Sequence, residues 1–319
     1  MGYFVFRFDV KRLFSVDDDD ESRSRSRRRR PREVLPLSPS HVACFRRPLS
    51  FPMDLAASPG GDKIVAATTD GHIMVYDATR SQYTYDHDLR CWKPWTILLA
   101  LSSSRRRDDD MSMLPLPVPP RLLFGDGDEV EVTSYFVAGG RVWLSVWCRC
   151  DGVKGTYSLD MAAPTKLGWR REGSWVLPLV GRAVYAPDLG LLFGFKRRQQ
   201  ALRAIDIKAR PRPVIRQEWT KALLPSKDEG YSPKQDYLPF GGLAYLGGGR
   251  LCISWSSAYG DERMILALTA VEVTMTNKES TSNGGPPPPQ PPELLLRKRR
   301  SRCYRLPPNS QKATVLPVL

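Results

Sequence analysis

The chain has 319 residues, 41% apolar and 26% charged, a globular composition long enough for one large domain or two ordinary ones. No apolar run approaches the roughly 20 residues of a membrane-crossing helix, which excludes a helical membrane protein. The formal charge of +14 is concentrated: seven arginines lie within residues 23–32 and six basic residues within Arg297–Arg305. The remainder is nearly neutral, so the basic balance describes two short segments and not a nucleic-acid-binding face.

At the N-terminus, residues 1–16 hold an apolar stretch, Tyr3 to Val10, that reads as a strand. It has neither the apolar length nor the cleavage site of a secretory signal. Phe6 stands where N-myristoylation needs Ser or Thr. Residues 17–40 follow, an acidic run and then an Arg/Ser run, with too little apolar surface to offset the entropy of ordering. In that run Arg27, Arg28, Arg29, Arg30 and Arg32 form a candidate nuclear-import tract. Ser22, Ser24 and Ser26 are candidate phosphorylation sites, each able to add about −1.5 to −2 charge. An unselected, solvated loop is the bland alternative.

Residues 41–273 read as the folded body, interrupted by a Pro-rich loop at 102–120. Short strands recur there, separated by glycine turns. Lys63 to Thr68 and His72 to Asp77 flank Asp70-Gly71, a strong hairpin signal. Val132 to Val137 and Arg141 to Trp147 flank Gly139-Gly140, and Gly155 to Asp160 follows. Arg182 to Tyr185 and Leu191 to Phe195 flank Pro187 to Gly190, and Leu202 to Ile207 follows. Gln217 to Leu224 is the one short stretch with helical character. Gly242 to Leu246 and Arg250 to Trp255 flank Gly247 to Gly249, and Met264 to Val273 follows. A polar, Pro-rich linker at 274–293, a closing strand at 294–306 and a tail at 307–319 complete the chain.

The order repeats: strand, glycine turn, aromatic-rich strand, gap, then a strand ending on an acid. Those acids are Asp9, Asp77, Asp160, Asp206 and Glu272. Asp160 to Asp206 is 46 residues, and Asp77 to Asp160 is 83, about two units. Periods of roughly 40–50 residues with three or four strands each point to an all-β, irregular kelch-like β-propeller. Six blades are expected, with five the alternative, closed by the N- and C-terminal strands sharing one blade. On that reading Lys298 to Arg302 belong to a strand and not to a free tail.

The phrase Gly155-Thr-Tyr-Ser-Leu-Asp160 resembles a plant family expanded in grasses and known as a domain of unknown function. Trp169, Gly173-Ser-Trp175, Leu177-Pro178, Gly181 to Ala183, Tyr185, Pro187, Leu192 to Gly194, Ala270 to Val273 and Ser301 to Tyr304 carry the same resemblance. It covers roughly residues 41 to 306 and implies a kelch-like propeller without an assigned activity. No catalytic residue follows from it.

Chemical motifs are sparse. Cys148 and Cys150 stand at alternate positions, but a structural zinc site needs further ligands, and His41, His72 and His87 have no suitable spacing, so no metal is expected. There is no G-x-S-x-G elbow and no phosphate loop, since Gly247-Gly-Gly-Arg250 lies between strands. The six cysteines suggest a reducing compartment, cytoplasm and/or nucleus. Trp143, Trp147, Trp169, Trp175, Trp219 and Trp255 read as inter-blade packing.

The expected role is a non-catalytic, monomeric interaction scaffold with another protein as partner, no cofactor, no membrane and no nucleic acid. Two alternatives stay open: a small-molecule or sugar binder or enzyme using a central pocket with strand-end carboxylates, and a ubiquitin-ligase recognition subunit lacking its adaptor-binding N-terminus. The import tract has a direct test. A fluorescent reporter fused to residues 15–35 is expected to accumulate in nuclei; exclusion of the fusion rejects the tract.

Overall fold

The computed structural model describes residues 2–6, 8, 11–14, 35–36, 43–46, 53–57, 62–68, 72–86, 130–148, 152, 154–163, 168–196, 201–220, 223–225, 240–259, 263–276 and 292–306. The Arg/Ser run, Asp9, Asp70, Cys150, His41, His87, the 102–120 loop and the 307–319 tail lie outside them.

Four antiparallel meanders of four strands follow one another. The first is β4 (Met53–Ala57), β5 (Lys63–Thr68), β6 (Ile73–Asp77) and β7 (Gln82–Asp86). The second is β8 (Val130–Ala138), β9 (Arg141–Cys148), β10 (Lys154–Asp160) and β11 (Trp169–Gly173). Next come β12 (Val180–Ala186), β13 (Leu191–Phe195), β14 (Leu202–Asp206) and β15 (Val214–Trp219). The last is β16 (Phe240–Tyr245), β17 (Arg250–Tyr259), β18 (Arg263–Thr276) and β19 (Glu293–Arg305). Before them, β1 (Gly2–Val5) pairs with β3 (Ala43–Arg46). The helix α1 (Lys11–Phe14) is a single turn, and β2 (Leu35–Pro36) is a two-residue strand.

The first strands of the second, third and fourth units lie side by side. β8 and β12 pair in parallel through Ser134–Gly181 and Tyr135–Arg182, and β16 lies against β12. A meander whose first strand runs beside the first strand of the next is a propeller blade; among the described residues there are four complete four-stranded meanders, and the second to fourth are set side by side in this way. The choice between six and five blades turns on residues outside the description.

Each meander is too thin to hide two apolar faces alone, so the faces are buried against neighbours. Phe193, Phe195, Leu202 and Ala204 pack onto Leu251, Ile253, Trp255 and Val271, which locks the third unit to the fourth. The other face of the third unit, Ala183, Leu192 and Ile205, meets Phe136 and Ala138 of the second, with Leu177 and Leu179 wedged between. On the outer face of the fourth unit, Leu13 packs with Ala244, Leu268 and Leu306. Phe45 and Ala43 cover Ile64, Ala66 and Met74 of the first unit.

Three expectations are corrected. The N-terminal strand does not share a ladder with the C-terminal one: β1 bonds to β3, whereas β19 bonds to β18 and, at Tyr304 and Arg305, to β2. The chain ends meet instead through side chains, with the Phe8 and Tyr304 rings 5.0 Å apart. Their apolar residues find one another, while the β1 backbone bonds to β3 and that of β19 to β18. Residues 217–219, read as the start of a helix, belong to β15, because Leu202 and Ala204 supply a ready edge opposite Trp219 and Gln217. Residues 274–276, read as linker, extend β18 and pair with Leu295, Leu294 and Glu293.

The link from β11 to β12, residues 174–179, is the fold's main internal strap. It runs between two units, so its peptide groups need partners away from water. The Thr156 hydroxyl donates to the Trp175 carbonyl at 2.8 Å, and the Leu177 N–H donates to Ser145 Oγ at 3.2 Å. Ser145 and Thr156 are themselves bonded at 2.8 Å and fully buried. From the other side, Arg203 donates to the Pro178 carbonyl at 2.7 Å. Leu179 rests so close to Gly194 that a Cβ there would sit 2.8 Å from its Cδ1. Ser145→Ala should therefore cost about 1–3 kcal/mol of unfolding free energy, the penalty for a stranded buried N–H. The exposed Ser174→Ala is expected within about 0.5 kcal/mol of wild type. Equal midpoints in urea for the two variants would contradict this account of the strap.

Candidate functional site

Asp77, Asp160 and Asp206 end β6, β10 and β14, the third strand of each of the first three units. Each carboxylate folds back on the turn that follows. Asp77 Oδ1 accepts the Thr79 and Arg80 N–H groups, both at 2.9 Å. Asp160 Oδ1 accepts from Ala162 at 2.9 Å, and Asp206 Oδ1 from Lys208 and Ala209 at 2.9 and 3.2 Å. These are Asx turns, which explains both the residue type and its period. Asp206 also faces Arg216 at 4.0 Å. Glu272 departs from the pattern: it lies inside β18 and is paired with Arg299. A pocket lined by converging strand-end carboxylates would need these groups on the first strands, and they stand on the third.

Two ionic constellations were not visible in the sequence. Arg203 and Glu218 face one another across β14 and β15, joined at 2.7 Å, with Lys196 at 3.3 Å from the second carboxylate oxygen. The hydrogen bond from Arg203 holds the Glu218 carboxyl below its ordinary 4.5, against the opposing effect of burial, with Lys196 adding to the lowering. Arg203 is thus fixed by Glu218 so that its other nitrogen can hold the Pro178 strap. The only sequence signal was a charged residue at an inward position of an apolar strand.

The second constellation joins the turn after β12 to the end of β16. The Tyr245 hydroxyl donates to Asp188 and accepts the Gly249 N–H at 3.0 Å. Burial and the hydrogen bond to Asp188 push the Tyr245 hydroxyl up to about 12. Burial alone would raise Asp188, but the Tyr245 hydroxyl and nearby backbone N–H groups outweigh it and hold the carboxyl below 3.8. Gly249 has φ +71°, and its carbonyl accepts the Val273 N–H at 2.8 Å. A Cβ on Gly249 would stand 2.2 Å from the Val273 carbonyl oxygen, so this turn admits glycine alone.

The nuclear-import arginines Arg27, Arg28, Arg29, Arg30 and Arg32 and the serines Ser22, Ser24 and Ser26 lie outside the described residues. His72 closes the β5–β6 hairpin through its backbone, whose carbonyl accepts the Thr68 N–H at 3.0 Å. Among the described residues no group of three His, Cys, Asp or Glu converges as a metal site. Cys252 and Cys303 are buried on opposite faces of the fourth unit, and burial pushes the Cys252 thiol up to about 12. Trp255 is fully buried and tilted against Phe195 at 5.2 Å. Trp143 stacks on Phe136 at 5.6 Å, and Trp219 on Phe193 at 6.4 Å. Trp147 is the exception, exposed on β9.

The Glu218 pair sets a pH dependence. A carboxyl held below its unfolded value contributes stability above about pH 4.5 and loses it as pH falls through the folded value. The stability gap between wild type and Glu218→Gln should accordingly be largest near neutral pH and shrink on acidification. Urea titrations across that range check it, and a gap independent of pH would be inconsistent with the ion pair.

Comparison with solved structures finds low-identity neighbours. BamB from Moraxella catarrhalis is 10% identical, covering 77% of this chain and 94% of that one, with a TM-score of 0.31. The β-propeller domain of Myceliophteria thermophila Cps50 (Swd1) is 11% identical, covering 78% and 72%, with a TM-score of 0.26. The dihydro-heme d1 dehydrogenase NirN, solved in complex with DHE, is 13% identical and covers 72% of this chain, at a TM-score of 0.30. The chain spans 47% of the length of that protein. At such TM-scores these likenesses decide nothing about function. No curated protein matches significantly. Residues 84–304 match DUF1668, a protein family of unknown function, and the chain belongs to that family.

Proposed function

We propose that the chain is a non-catalytic protein-interaction scaffold, a stack of rigid blades that offers its turns and strand edges to another protein. One observation carries this reading. Of the groups whose proton affinity is displaced, Cys252 is buried in the core, and Asp188, Glu218 and Tyr245 bridge neighbouring strands or units, while Asp77, Asp160 and Asp206 each brace a turn. Displaced proton affinities at a reactive centre would be poised toward a substrate. Here they tie backbone to backbone, and the outcome is pre-organised surface, which lowers the entropic cost of binding.

The exposed apolar side chains Trp147, Val214 and Ile215 support the same reading. They lie on β9 and on β15, the outer strand of the eight-stranded sheet. Aromatic and β-branched groups at an exposed strand are the raw material of a protein contact.

Capture experiments test the proposal. Folded chain immobilised through one terminus should retain a saturable protein partner from an extract of its source, and heat-unfolded chain should not. Identical protein profiles on the two supports, with the folded state verified by circular dichroism, would overturn it.

A further inference from the structure

The most distinctive unassigned surface is β19. Its inner edge is paired with β18 from Glu293 to Arg305. On its outer edge, among the described strands, only β2 pairs, in parallel at Tyr304 and Arg305. That short pairing shows that the edge accepts an added strand. The length of β19 before Tyr304 continues the same edge.

The strand's chemistry is one-sided. Between Arg297 and Arg305 it carries six cations and no acid. Register places Arg297 opposite Glu272, Arg300 opposite Ala270 and Arg302 opposite Leu268, on the face that also carries Tyr304 opposite Leu266. A β-bulge at Ala270/Val271 sets Arg299 out of step, and its guanidinium is bound to Glu272. Glu272 is thus engaged, while Arg297 and Arg305 stand exposed along the edge. Leu294 and Cys303, facing the other way, anchor the strand in the core. The result is a fixed rail with guanidinium groups beside a hydrogen-bonding edge.

We infer that the outer edge of β19 takes up an acidic, extended peptide segment of a partner protein as an added strand. This rests on the scaffold reading and names the partner chemistry for one of its surfaces. Backbone hydrogen bonds to the edge supply affinity, and carboxylates at alternate positions meet Arg297 and Arg302 across the new ladder. Charge complementarity supplies selectivity and speeds encounter. A nucleic acid would satisfy the guanidinium groups but leave the edge unused.

The test uses the full chain and labelled synthetic peptides of about ten residues, strand length. One alternates Thr and Glu, a second Thr and Gln, and a third repeats the first with N-methylated backbone at every second residue. Fluorescence anisotropy should show saturable binding of the Glu peptide, with affinity lower by about tenfold or more for the other two. The double variant Arg297→Gln/Arg302→Gln should weaken the Glu peptide by a similar factor, and rising salt should do the same. The N-methylated peptide on unaltered protein keeps the test decisive even if the double variant folds poorly. No binding, equal binding of Glu and Gln peptides, full retention by the N-methylated peptide, or equal competition by a single-stranded oligonucleotide would each overturn the inference. If the edge fails while immobilised chain still captures a partner, the edge alone is rejected. If both fail, the scaffold reading falls with it.

Discussion

The structure depends on getting one stretch of backbone from the second unit to the third without stranding its peptide groups. Residues 174–179 pass between two apolar faces, where an unpaired N–H or C=O is expensive. The solution is to place small hydroxyl side chains, Ser145 and Thr156, in the middle of otherwise apolar strands, and to send one buried arginine in from the opposite unit. The hydroxyls add little volume, so Leu177 and Leu179 can still fill the gap. The arginine needs its own counter-charge, and Glu218 provides it. Packing, backbone satisfaction and charge thereby become one problem with one answer.

Much of the fold was legible in the sequence because its punctuation is local. Gly139-Gly140 lies between β8 and β9 with φ values of +58° and +70°, as a tight hairpin of right-twisted strands demands. Asp77, Asp160 and Asp206 marked the ends of third strands, and their meaning, an oxygen that holds the next turn, is equally local. The short apolar runs Lys63–Thr68 and Leu191–Phe195, bounded by turn residues, located β5 and β13 to the residue. Interactions between distant segments were not legible. Nothing near Ala43–Arg46 announces that it will pair with Gly2–Val5, because the partners are separated by a charged segment without turn grammar. Val214–Trp219 carries mixed polar residues since it lies at a sheet's outer edge, and that mixture imitates a weak helix.

The candidate site followed the same division. Individual residues such as Asp206 could be picked out by recurrence, whereas Arg203–Glu218 and Asp188–Tyr245 are formed only when strands from separate positions align. Asp188 and Tyr245 stand 57 residues apart in sequence yet tie two adjacent hairpins. The family model covers residues 84–304, which takes in the second and third units whole and the fourth as far as Tyr304, so this bracing sits inside the shared region.

The parallel pairing of β8 with β12 has a mechanical consequence. It fuses two meanders into one continuous sheet of eight strands, while the fourth unit meets the third through side-chain packing without a shared ladder. Amide protons in β9 and β13 should thus become exchangeable together, through a shared opening event larger than either meander.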